Sequence, residues 1–237
     1  GSVQAQAQRF SINNLDLSER GSEWFVADSL DMRGHGRVAL GLLGEWAYRP
    51  LVVFNRSDDS RVRSIVRNQL VLHPGASLLL WDRLRLSADL PIQAYADGSD
   101  VVLQGVTYGG PADKVSLGDL RLGAAARLFG TYGDPLTGAL GVQVSLPTGA
   151  ETSYAGDGGV RVSPHVILSG DIADFAYSGK LGVTVRGANH PFFSTYVGHQ
   201  LYFAVAAGLR LLNRKMLVGP ELYGHTVLSE DQLFKRR

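Results

Sequence analysis

The sequence predicts an all-β protein, an antiparallel transmembrane β-barrel, and three observations predict it. Apolar and polar residues alternate with period two along most of the chain, and the 3.6-residue period of an amphipathic helix is almost nowhere found. Short connections alternate with long ones. No apolar run reaches the roughly 18 residues a membrane helix needs, whereas a barrel draws its apolar residues from every second position.

At the N-terminus, Gly1-Ser2 reads as a cloning remnant, and the small, polar "VQAQAQ" resembles residues that follow a removed signal peptide. Residues 1–22 form an N-terminal polar segment and residues 23–237 the barrel. A first strand is expected over 23–30. Over 36–47, Val38, Leu40, Leu42 and Trp46 oppose Arg37, Gly41 and Glu45, and a short strand follows over 51–54. In 70–80, Leu70, Leu72, Pro74, Ala76, Leu78 and Leu80 oppose His73 and Ser77; in 84–93, Leu84, Leu86, Ala88, Leu90 and Ile92 oppose Arg85, Asp89 and Gln93. Further alternating runs cover 117–129, 139–147, 160–169, 175–186, 199–211 and 216–228, which brings the total to eleven. Pro74, Pro164 and Pro220 fall on the apolar face and each remove a ladder donor, so they are expected at bulges or strand ends.

The short connections lie at 81–83, 133–135, 170–173 and 213–215, and the long ones at 55–63, 96–116, 148–158 and 187–198. Short and long ends therefore fall on opposite sides, as in outer-membrane barrels with tight periplasmic turns and long external loops.

A soluble barrel or sandwich shows the same alternation. Three features point to the membrane instead. Several runs reach about 12 residues, close to a membrane strand and about twice the usual soluble strand. The polar face carries Glu45, Asp89, Asp119 and Glu221 with Arg37, Arg67, Arg85, Arg121, Arg127, Arg161, Lys180, Arg186 and Arg210, as a wet or ion-paired lumen would. Aromatic residues near strand ends, namely Trp46, Tyr48, Trp81, Tyr95, Phe175 and Tyr177, fit interfacial girdles.

Composition narrows the function. A formal net charge of +1 without a basic tail argues against nucleic acid, and the lack of cysteine removes disulfides, thiolate chemistry and cysteine zinc sites. No cofactor is expected. His73, His165 and His225, with Asp119 and Ser163, have no spacing that supports a hydrolase constellation, and no enzyme is expected. "DGSD" at 97–100 and "GDGG" at 156–159 lack the spacing of an EF-hand loop and read as polar turns. "GHGRVALG" at 34–41 lacks the Lys-Ser/Thr of a phosphate loop and reads as loop then strand.

"SERGSEWFVADSLDMRGHGRVALGLLGEWAYRPLVVF", "NQLVLHPGASLLLWDRLRLSADLPIQAYADG", "GDLRLGAAARLFG", "SLPTGAETSYAGDGG" and "LVGPELYG" together resemble the N-terminal barrel region of OmpA-like outer-membrane proteins of myxobacteria. Residues 118–159 are also similar to a broader group of outer-membrane channels that includes phenol-degradation-pathway proteins. The resemblance implies a barrel of about 12 strands, often followed by acidic calcium-binding repeats and a peptidoglycan-binding domain. Against that pattern the sequence ends at "EDQLFKRR" without the closing strand. A truncation, or a separate C-terminal fragment released by trypsin-like cleavage after Arg237, is expected to account for this.

Two functions follow. One is a membrane anchor and surface-interaction domain in the bacterial outer membrane, with outer-membrane lipid around it and cell-surface or peptidoglycan partners. The other is a narrow pore for small solutes or hydrophobic compounds, with an anion bias from the nine basic and four acidic lumen residues named above. A lumen filled by ion pairs favours the first, and a continuous water path the second.

Overall fold

The structure, a computed structural model, describes residues 11–12, 15–54, 61–103, 106–187, 190–192, 195–197 and 199–228. The strands are β1 (Arg37–Phe54), β2 (Arg61–Leu80), β3 (Leu84–Asp89), β4 (Ile92–Gly98), β5 (Val101–Leu103), β6 (Val106–Tyr108), β7 (Ser116–Leu117) and β8 (Leu120–Phe129). They continue with β9 (Thr137–Leu146), β10 (Arg161–Ile172), β11 (Phe175–Arg186), β12 (His190–Phe192), β13 (Thr195–Val197), β14 (Gln200–Leu211), β15 (Met216–Val218) and β16 (Glu221–Val227). Ten of them lie along one antiparallel path, β15-β14-β11-β10-β9-β8-β3-β2-β4-β7, with β1 added to β2 and β16 to β14, and the sheet curls into a half-barrel. β5 pairs with β6 and β12 with β13 as small separate hairpins in the long connections.

The sequence expectation of eleven strands is corrected in two places. Residues 36–47 and 51–54 belong to one strand, β1, which runs through a bulged register between Tyr48 and Val52. Residues 23–30 are not a strand: they follow a bent path on the concave side of the sheet, where the Ser22 hydroxyl accepts from the amides of Trp24 and Ser29. The boundary drawn at residue 23 falls inside this one continuous segment. β3 and β4 abut β2 end to end, as β7 and β8 do β4 and β3, and β15 and β16 do β14. The chain therefore crosses the sheet in an odd number of passes. β1 at one edge and β15–β16 at the other both run from the short-turn end to the long-loop end.

The three prolines sit where the ladder is already interrupted. The Pro74 carbonyl accepts from Leu90, in the break between β3 and β4, so its missing N–H also faces that break and costs no bond to β1. Pro220 occupies the break between β15 and β16. At Pro164 the β10–β11 ladder skips from Val162↔Val185 to His165↔Gly182, and the hydroxyls of Ser163 and Thr184 meet at 2.9 Å across the gap.

Burial differs between the two faces of the sheet. Polar and charged side chains of the concave face are covered, among them His73 (0% exposed), Arg85 (2%) and Lys180 (4%). The alternate apolar residues stand outward, with Leu40 at 79%, Leu42 at 63% and Leu181 at 55% exposed. What covers the concave face is the N-terminal segment. Near the short-turn end the sheet turns Ala125, Ala139, Ala176, Ala204 and Ala206 inward, and these small residues make room for Trp24, Val26, Leu30 and Met32.

Candidate functional site

The concave face and the segment threaded along it form the site. The segment begins near the long loops, where Ser11 N–H donates to Asp157 at 2.7 Å and Ile12 N–H to the Tyr154 carbonyl at 3.3 Å. It ends at the short turns, where Gly34 N–H donates to Asp82 at 2.6 Å and Gly36 N–H to the Leu79 carbonyl at 2.8 Å, and there β1 begins.

Between these ends the segment supplies carboxylates to a basic wall. Lys180 Nζ lies 3.0 Å from Asp16 and 3.1 Å from Asp28. Arg85 donates to the carbonyls of Ser29 at 3.0 Å and Asp31 at 3.3 Å, and lies 3.9 Å from Asp28. Arg210 clamps Glu23 with two bonds of 2.6 and 2.8 Å and also meets Asp171 at 3.1 Å. Arg20 reverses the polarity: it reaches from the segment to Asp89 at 2.6 Å and to the His73 carbonyl at 2.8 Å. Its side chain lies across Gly41 and Gly75, where a Cβ would come within 2.9 and 2.8 Å of it, so only glycine leaves the slot open. Glu221 of β16 accepts the backbone N–H groups of Phe25, Val26 and Ala27 at 2.8, 2.8 and 3.0 Å, tying the segment to the last strand.

Two carboxyls of the segment respond to this setting in opposite ways. Burial, and next to it the charge of Asp28, push Glu19 up to about 7. Burial also works to raise Asp31, but hydrogen bonds from Arg33 and Arg37 outweigh it and hold Asp31 well below the usual carboxylate range.

Of the remaining residues read as lumen-facing, Asp119 accepts from the backbone of Gly149 and Asp157, each at 3.0 Å, and meets Arg161 at 3.3 Å. Asp157 also pairs with Arg161 at 3.2 Å and with Arg186. Arg121 is buried and donates to the Leu15 carbonyl at 3.1 Å. Glu45 lies 3.7 Å from His73, Arg37 pairs with Asp31 at 3.2 Å, and Arg127 is half-buried. Arg67 departs from the lumen pattern. It sits at the β2–β4 register shift, 53% exposed, and meets Asp97 at 3.5 Å, because the bulge buries both Ile65 and Val66 and turns the next side chain out.

The aromatic residues divide between the two ends. Trp46 and Tyr95 stack with centroids 6.5 Å apart, either side of Leu70 in register, and Tyr48 follows on β1. At the short-turn end are Trp81, Phe175 and Tyr177, the last two stacked at 6.4 Å. Trp46, Tyr48 and Trp81 are each more than half exposed.

His73, His165 and His225 lie on β2, β10 and β16 and do not converge. His73 stands between Glu45 and Asp89, and His165 Nδ1 lies 3.1 Å from the Ser163 carbonyl. In the two glycine-aspartate turns, Asp100 accepts from Gly110 N–H at 2.8 Å and Asp157 is taken up by its arginine partners. Among the described residues no group of three or more His, Cys, Asp or Glu side chains is arranged to hold a metal ion.

Strand alternation missed the segment's own contribution: Asp16, Glu19, Arg20, Glu23, Asp28 and Asp31. The available signal was charge. The strand faces carry nine basic against four acidic residues, and five of these six segment residues are acidic. The fold and site define a class, an antiparallel half-barrel, apolar outside, whose polar inner face is covered by an ion-paired segment of the same chain. No protein-family model matches the chain, and no curated protein matches it significantly.

Proposed function

We propose that the protein is a β-barrel module of the bacterial outer membrane that serves as an anchor and surface-interaction domain, its interior closed by its own N-terminal segment. The observation that carries this reading is the segment itself, ion-paired along the concave face of a sheet whose apolar face points outward. Exposed leucine, valine and isoleucine side chains across the convex face suit contact with lipid.

The spacing of the aromatic ends supports the same setting. From the Trp46–Leu70–Tyr95 row to Leu80 beside Trp81 is about 10 residues; at about 3.4 Å per residue and a tilt of about 40°, that spans roughly 26 Å, close to the apolar band of an outer-membrane barrel. In that setting the free edges of β1 and of β15–β16 are completed by strand pairing from outside the described residues, because unpaired backbone groups in lipid cost several kcal/mol each. The protein acts without catalysis in this reading, since His73, His165 and His225 stand apart on separate strands. The long loops, chiefly 99–116 and 187–198, are the surfaces offered to partners outside the membrane.

The test is planar-bilayer conductance of the refolded protein beside a variant lacking residues 15–33. The proposal expects insertion without steady conductance in the first and conductance in the second. Steady channels from the unmodified protein overturn the closed interior, and failure to partition into vesicles overturns the membrane setting.

A further inference from the structure

A cavity of about 60 Å³ lies between the threaded segment at Leu15–Asp16 and strands β8, β9, β10, β11, β14 and β16. One water needs about 10–15 Å³ on this scale, so the space takes more than a single water. Apart from Leu15, every side chain that lines it is polar.

The donors there outnumber the acceptors that answer them. Arg121 is 8% exposed, and among the described residues its guanidinium makes no ion pair; Nη1 donates to the Leu15 carbonyl at 3.1 Å, and the rest of the fork is left for the cavity. Arg161 also lines the space, its guanidinium already meeting Asp157 at 3.2 Å through Nε and Asp119 at 3.3 Å. The Tyr202 hydroxyl is buried without a partner in the same wall. Ser163 and Thr184 spend one hydroxyl hydrogen on each other at 2.9 Å and keep the second. The one carboxylate in the lining, Asp16, is held by Lys180 at 3.0 Å.

Guanidinium N–H groups left unanswered in a buried site are costly, and an unsatisfied phenol beside them adds to the cost. A small oxyanion removes both: its oxygens accept from the open fork of Arg121, which matches oxyanion geometry, and from neutral hydroxyls that pose no charge barrier. We infer that this cavity is a binding site for one small oxyanion of the inorganic phosphate or sulfate type, held between Arg121, Arg161 and Tyr202. The inference does not depend on the membrane reading, since the site is built from the inner face alone.

The test is isothermal titration of the detergent-refolded protein, exchanged into chloride buffer, with inorganic phosphate, sulfate and acetate in turn. Saturable one-to-one binding of phosphate or sulfate is expected, weakened at least tenfold in Arg121→Gln and severalfold in Tyr202→Phe, and unchanged in Arg214→Gln in the short turn between β14 and β15, outside the cavity lining. Selenate diffused into crystals is expected to give an anomalous peak within the cavity. Absence of saturable binding, a peak only elsewhere, or affinity unchanged in both lining variants overturns the site, as does a preference for acetate. Should Arg121→Gln fail to refold, Tyr202→Phe, which removes a single oxygen, decides alone.

Discussion

Lys180 Nζ stands 3.1 Å from Asp28 Oδ2 and 3.0 Å from Asp16 Oδ2, so one cation of β11 holds two carboxylates of the threaded segment. All three belong to the concave interior, where Asp28 is 1% exposed. Substituting Lys180→Met leaves two buried charges facing each other and is expected to destabilise the seated segment by about 3–5 kcal/mol. Lys180→Met/Asp28→Asn recovers part of that loss. Thermal unfolding of the two variants measures the difference, and equal midpoints would show that the pair contributes nothing to seating.

Arg20 lies in a slot whose floor is Gly41 and Gly75. At Gly41 all three atoms that a Cβ would meet belong to Arg20. Gly41→Val therefore costs about 1–3 kcal/mol by overpacking, and in an Arg20→Ala background the same substitution costs less. A double-mutant cycle in denaturant reads the coupling; additive losses would mean that Arg20 does not fill the slot.

Glu19 sets a pH dependence. Its carboxyl holds a proton up to about 7 when the segment is seated, against an ordinary value of 4.5 once released. Through this group the seated form binds more protons across that window, so Glu19's contribution to seating is full below about 4.5, falls as pH rises towards 7 and is lost above. Proteolysis of the segment at pH 5 and pH 8 is expected to be faster at pH 8, and Glu19→Gln flattens the difference.

Glu221 gathers three consecutive backbone N–H groups at 2.8–3.0 Å. Glu221→Ala is expected to cost about 1.5–3 kcal/mol, with faster amide exchange at Phe25, Val26 and Ala27. Unchanged exchange at those amides would show that the bend from Ser22 to Ser29 holds itself without Glu221.

The curved sheet was legible because each strand repeats one physical rule, apolar out and polar in, and because short and long connections alternate. The interruptions at Pro74, Pro164 and Pro220 were legible as well, since proline cannot donate to a ladder. The interior was not. Residues 23–30 mimic a strand because Trp24, Val26, Asp28 and Leu30 sit at alternate positions, yet their packing depends on inward alanines contributed by β8, β9, β11 and β14, far away in the chain. The slot for Arg20 is likewise made by two glycines that read only as small residues within alternating strands. Arg67 was misplaced because a bulge shifts inward and outward by one position, and alternation carries no sign of where that shift falls.

The two edges of the half-barrel point the same way, and this restricts how the sheet is ever made whole. Direct contact of β1 with β16 would be a parallel pairing, unlike every other pairing in the sheet. An all-antiparallel ring requires an odd number of inserted strands, the one beside β16 descending from the long-loop end. A second copy sharing the same orientation in a membrane brings edges of the same sense and cannot supply that strand by edge contact. Closure is thereby an asymmetric event, in which whatever completes the wall must differ in direction from both of the strands it joins.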